Sequence, residues 1–79
     1  MNTYKTEFFC LCPLNETRIK YFLEITTEEI IPVEDIIDQF KNYASGFHEL
    51  IAEDLHKKFG GKQTLVADHH GVAIETTRP

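Results

Sequence analysis

Three groups of side chains in this chain have the makings of chemistry: the thiols Cys10 and Cys12, the dipeptide His48-Glu49, and the pair His69-His70. A cysteine acts as nucleophile or metal ligand in its thiolate form, and imidazole changes protonation near neutral pH. Pro13 follows Cys12 directly and puts that thiol at the end of a strand, whereas Cys10 shares its parity within the strand body and reads as a small buried hydrophobe. Glu49 falls in the first turn of a helix, a position the macrodipole already favours for a carboxylate, and His48 beside it reads equally well as a solvated surface histidine. His69-His70 occupies the tip of a hairpin, where a polar turn suffices to explain it. A metal site from Cys10 or Cys12 with His69 or His70 is the alternative, since thiolate and imidazole are the preferred zinc ligands. Cys-x-Cys is nevertheless a poor match to the usual ligand spacing, so zinc is not expected.

The elements that must carry these groups follow from periodicity. Tyr4, Phe8, Cys10 and Cys12 share one parity, with Phe9 and Leu11 on the other, which predicts a strand buried on both faces near its end. After the polar break at Pro13, Asn15 and Glu16, Ile19, Tyr21, Leu23 and Ile25 alternate with Lys20 and Glu24, predicting a second strand and a hairpin. Pro32, Glu34 and Asp35 suit a helix start. Val33, Ile36, Ile37, Phe40 and Ala44 then keep helical spacing with an inward apolar face until Ser45-Gly46. Phe47, Leu50, Ile51, Leu55 and Phe59 predict a second helix closed by Gly60-Gly61. Residues 63–68 and 72–77 form two short runs rich in Val, Ile and Thr, the mark of a closing hairpin. The expected class is α+β, in the order ββααββ: a four-stranded antiparallel sheet with two helices on one face.

A chain of 79 residues makes one domain, residues 1–79, and a small one that gains from oligomerisation. Thirteen acidic against eight basic side chains give a formal charge of −5, which opposes broad binding to nucleic acid or to anionic membrane. No run approaches the roughly 18 apolar residues of a membrane span, and two cysteines are too few for a disulfide scaffold. The expected compartment is the cytoplasm.

The landmarks Cys12-Pro13, Phe40-Lys41-Asn42 and Phe47-His48-Glu49 occur in the order of the Cys-Pro and Phe-Arg-Asn…Phe-His-Glu motifs of 7-cyano-7-deazaguanine reductases. His69-His70-Gly71-Val72 is similar to their Arg-Gly-Gly-Ile, and to the Arg-Gly-Val of GTP cyclohydrolase I. The chain thus resembles the tunnelling-fold superfamily, whose subunits join their sheets into an oligomeric barrel and handle purines and pterins. The resemblance implies that Cys12 adds to a nitrile carbon to form a thioimide, that Glu49 grips the ring, and that His48 orients substrate or shuttles protons. It also puts His70 against the substrate and calls for NADPH. Two departures stand in the sequence. Asn15-Glu16-Thr17-Arg18-Ile19 lacks the acid/base aspartate, leaving Glu16 as its substitute, and Asp35-Ile36-Ile37-Asp38-Gln39 lacks the lysine-rich cofactor block. A non-catalytic binding module, or metal-assisted hydrolysis of the cyclohydrolase kind, are the alternatives.

Overall fold

The computed structural model describes all of residues 1–79. Strands β1 (Asn2–Leu11) and β2 (Arg18–Thr27) form a hairpin, helices α1 (Val33–Phe40) and α2 (His48–Phe59) follow, and β3 (Lys62–His69) and β4 (Val72–Arg78) form a second hairpin. The sheet is antiparallel in the order β1-β2-β3-β4, so the first hairpin lies beside the second along β2 and β3. Register puts Phe8, Tyr21, Ala67 and Ile74 in one row across all four strands. Because side chains alternate along a strand, the inward parity of each row shares one face. That face carries Phe8, Cys10, Ile19, Tyr21, Leu23, Ile25, Leu65 and Ala67, all buried beneath Ile36 of α1 and Ile51, Ala52 and Leu55 of α2. The ββααββ order and the antiparallel four-stranded sheet are those expected from the sequence. No helix is long and apolar enough to cross a membrane.

Helix α1 is shorter than the periodicity predicts. It ends at Phe40 rather than near Ser45, and the chain turns through Lys41, Asn42 and Tyr43, whose amides bond to carbonyls three residues back. Segment 44–46 then lies against the end of β1, where Leu11 donates its amide to the Ala44 carbonyl (3.0 Å) and Gly46 donates to the Leu11 carbonyl (3.3 Å). Unpaired strand groups at Leu11 thereby find partners, which one more helical turn would have denied them. Gly46 serves this approach rather than a helix cap: a Cβ there would stand 3.2 Å from the Ile51 side chain.

Three further expectations need correction. Val33 and Ile37 of α1 are exposed, so of that stripe Ile36 is buried in the core and Phe40 packs on its edge, stacked on Phe8 at 4.2 Å between ring centres. On α2 the buried stripe is His48, Ile51, Ala52 and Leu55, with Phe47 and Leu50 exposed, so the helix is rotated by about one residue from the apolar face read in the sequence. Phe9 and Leu11 also lie on the open face of the sheet, Phe9 beneath the Arg18 guanidinium at 3.8 Å from its ring centre, so β1 is buried on one face only. α1 is tied to α2 through Tyr43, whose hydroxyl donates to Asp54 and accepts from Gln39 (2.9 Å).

The two leucines of α2 therefore separate. Leu55→Ala is expected to cost about 2–5 kcal/mol, enough to remove much of the stability of so small a domain. Leu50→Ala should leave the urea midpoint nearly unchanged, and equal losses for the two would contradict the observed rotation of the helix.

Candidate functional site

A cavity of about 380 Å³ opens where the β1–β2 turn, the start of α2 and the tip of the β3–β4 hairpin converge. Cys12, His48, Glu49 and His70, the four site residues named from the sequence, all line it. They come from three separate segments. Each is carried to the same end of the sheet because β1 ends, α2 begins and the second hairpin turns there. A wider depression of about 520 Å³ lies on the opposite face of the sheet, among Lys5, Glu7, Glu24, Glu75 and neighbouring threonines. It holds no thiol and no imidazole, so the smaller cavity is the chemical one.

Cys12 is half-buried just beyond the end of β1, its amide bonded to the Thr17 carbonyl at 2.9 Å across the turn. Cys10 is core: its thiol points at the Leu11 and Gly46 carbonyls, and burial, with the Cys12 thiol close by, pushes its pKa up. Both thiols are free. Glu16, the substitute for the missing aspartate, sits exposed in the turn at a φ of 59° and is not among the side chains lining the cavity. Glu49 is the sole carboxylate there. Its oxygens accept from Thr76 Oγ1 (3.3 Å) and from the Arg78 guanidinium (3.2 Å), holding it against β4. A carboxylate has about four lone-pair sites, so acceptor capacity remains for a ligand.

His48 departs most from expectation. It is not a surface residue but is buried as the first residue of α2, on the same stripe as Ile51, Ala52 and Leu55. That spacing of three, four and seven was legible in the sequence. Its Nδ1 lies 3.0 Å from Nε2 of His69, and its own Nε2 is buried with no hydrogen-bond partner. Burial drives the His48 pKa down, and the His69 ring works in the same direction. Glu49 and the Leu65 backbone oppose the shift without reversing it. Tyr21 packs against both imidazoles, with ring centres 5.4 Å and 5.8 Å away, and burial pushes its hydroxyl up to about 12. His69 and Asn15 line the cavity too; the sequence offered His69 only as a ligand of the alternative metal site and gave Asn15 no role in the chemistry. His70 caps the hairpin tip at a φ of 58°, a left-handed conformation histidine tolerates better than most residues, and its Nε2 lies 2.8 Å from Asn15 Nδ2.

Along α1 the charged side chains are Glu34, Asp35 and Asp38; Lys41, just past its end, is paired with Asp38 at 3.0 Å, and Lys5, which shares a groove with Val33, Ile36 and Ile37, is paired with Glu24 at 3.5 Å. That set does not fit the phosphates of NADPH. No group of three or more His, Cys, Asp or Glu side chains is arranged to hold a metal ion.

No protein-family model and no curated protein matches this sequence. Among solved structures, the crystal structure of the archaeosine synthase QueF-Like in the apo form superposes with a TM-score of 0.76, covering 98% of this chain and 89% of that one. The chain has the tunnelling fold. At 21% identity the likeness establishes the QueF-like architecture, and the chemistry must be argued from the cavity itself. In this tunnelling-fold chain the cavity lies at the end of β1 that segment 44–46 covers.

The buried His48 sets a pH dependence. The folded chain resists protonating it, whereas the unfolded chain protonates near the ordinary value of 6.5. The unfolded state then binds more protons as pH falls through that value, so stability drops on acidification towards the depressed folded pKa. Melting temperature should decline between about pH 8 and about pH 5.5, and the slope should flatten in His48→Gln. A variant with the wild-type slope would show that another group carries it.

Proposed function

We propose that this chain binds a purine-type heterocycle, a 7-deazaguanine nitrile, in the Cys12 cavity, and that Cys12 adds to the nitrile carbon to form a thioimide. The supporting observation is that Cys12, His48, Glu49 and His70, drawn from distant parts of the sequence, line one cavity. The size is suitable, since pockets for small ligands begin near about 300 Å³. Glu49 anchors the ring by accepting from its adjacent N–H donors, and His70, clasped to Asn15, closes over the ligand from the hairpin tip. The name of the fold neighbour, an archaeosine synthase, favours a modified purine over a pterin.

Reduction beyond the thioimide needs a hydride donor. Bound NADPH would supply one, but the acidic stretch along α1 does not suit it, so the proposed chemistry ends at the covalent addition. A second reading keeps the pocket and removes turnover. It is favoured by the position of Glu16 outside the cavity, which leaves the site without the acid/base carboxylate of the reductases.

The partner is a small molecule rather than nucleic acid or membrane, in keeping with the net charge of −5. Two free thiols suit the reducing cytoplasm. β1 and β4 are both sheet edges, and pairing them between copies would satisfy their unpaired backbone groups. A homo-oligomer is therefore expected in light scattering, and a monomer at all concentrations would refute that part.

Incubation with 7-cyano-7-deazaguanine should raise the melting temperature and add the ligand mass to the protein. Cys12→Ala should keep the thermal shift and lose the adduct. Glu49→Ala should weaken binding about 10- to 100-fold, the worth of hydrogen bonds to a charged group. A ligand-induced shift without an adduct in the wild type would favour the non-catalytic reading.

A further inference from the structure

Addition of a thiol to a nitrile moves one proton, and the cavity has no aspartate to move it. The Sγ–C bond forms and one π bond of the C≡N group breaks. Its electron pair goes to nitrogen, which must then be protonated. The net change is addition of S–H across C≡N, with no oxidant or reductant. Glu49, the only carboxylate lining the cavity, is engaged with Thr76 and Arg78. Tyr21 holds its proton too tightly to serve near neutral pH. The imidazoles remain.

We propose that His69 is the proton carrier of this cavity, taking the thiol proton of Cys12 and delivering it to the nitrile nitrogen, and that His48 is the positioning residue that fixes its ring. The inference rests on the heterocycle reading above and names a residue that the resemblance leaves without a role, since the reductases carry arginine at the position of His69. Three observations bear on it. His69 is half-buried and lines the same cavity as Cys12, while His48, which lines it too, is only 6% exposed and more enclosed than His69. The His48 Nδ1 to His69 Nε2 contact of 3.0 Å occupies one ring nitrogen of His69 and leaves Nδ1 for proton exchange. Tyr21 stands edge-on to His69 at an interplanar angle of 75° and closes the ring from the sheet side.

Titratable and polar groups from every neighbouring element share the cavity or pack with His69. From α2 come His48 and Glu49, from β2 Tyr21, from the end of β1 Cys12, and from the hairpin tip His70, while its β4 partner across the register is the apolar Val72. A buried neutral His48 is a suitable anchor. It exchanges a hydrogen bond without taking the proton permanently, because burial disfavours its charged form.

Two measurements on the full chain test the assignment. In the first, adduct formation with 7-cyano-7-deazaguanine is followed by intact mass. His69→Ala should slow it about 100-fold, within the usual worth of general acid–base catalysis, while the thermal shift given by the ligand persists. Added imidazole should restore part of the rate, and His69→Arg should not. In the second, alkylation of Cys12 by iodoacetamide is followed against pH with no heterocycle present. His69→Ala should react several-fold more slowly near neutral pH, and His48→Gln should shift the profile rather than abolish it. Wild-type alkylation profiles in His69→Ala would overturn the role of His69. An altered profile in that variant, with no adduct in the wild type, would uphold His69 and instead remove the nitrile reading.

Discussion

The contact on which the rest of the molecule depends is the burial of one face of α2 against the sheet. Ile51, Ala52 and Leu55 cover Leu23, Leu65 and Ala67, and Leu55 is wholly enclosed. Apolar area removed from water stabilises by roughly 25 cal/mol per Å², and a chain this short has few other large contributions. Gln63 secures the far end of the helix, its amide donating to the Leu55 carbonyl at 3.1 Å and the Gly60 carbonyl at 2.8 Å. The Gly60 carbonyl lies just past the last helical turn, so the bond to it satisfies an acceptor the helix itself cannot reach. With α2 fixed at both ends, its first residue has one place to go, and that place is the inner wall of the cavity.

The position of His48 is thus a consequence of packing rather than a separate feature. The same rotation of α2 that sends Leu55 into the core sends His48 under Tyr21 and against His69, and leaves Glu49 at the rim. A polar ring in that position carries a cost unless it is hydrogen-bonded, and His69 supplies the bond on one side only. Stability and chemistry are coupled here. A residue that keeps a buried imidazole neutral also holds the neighbouring imidazole of the cavity in a defined orientation.

The opposite end of the site is built by a backbone device. Segment 44–46 adds to the edge of β1 at Leu11, and this shortens α1 by about one turn relative to its apolar spacing. Cys12 is thereby held between the β1–β2 turn and the chain that leads into α2. The remaining edge of β1 and all of β4 stay open, as do Val33, Ile37 and Phe22 nearby. Open edges flanked by apolar side chains are surfaces that small sheet proteins commonly cover.

The sequence by itself determined the element order, the inward parity of β1 and β2, and the residue types of the site. Period-two alternation at Ile19, Tyr21, Leu23 and Ile25 allows one arrangement, and glycines at 60, 61 and 71 mark turns that require positive φ. Motif order also singled out Cys12, His48, Glu49 and His70, which share one cavity. Only the tertiary structure decided which way α2 faces, because Phe47 and Leu50 compete with His48 and Ala52 for the core and local hydrophobicity favours the wrong pair. It alone ended α1 at Phe40, since the hydrogen bonds that stop the helix come from Leu11, about thirty residues away. It also removed Glu16 from the site and brought His69 into it. Spacing along a chain records which face a residue occupies, whereas the contact between His48 and His69 joins a helix start to a strand end and exists only once both pack on Tyr21.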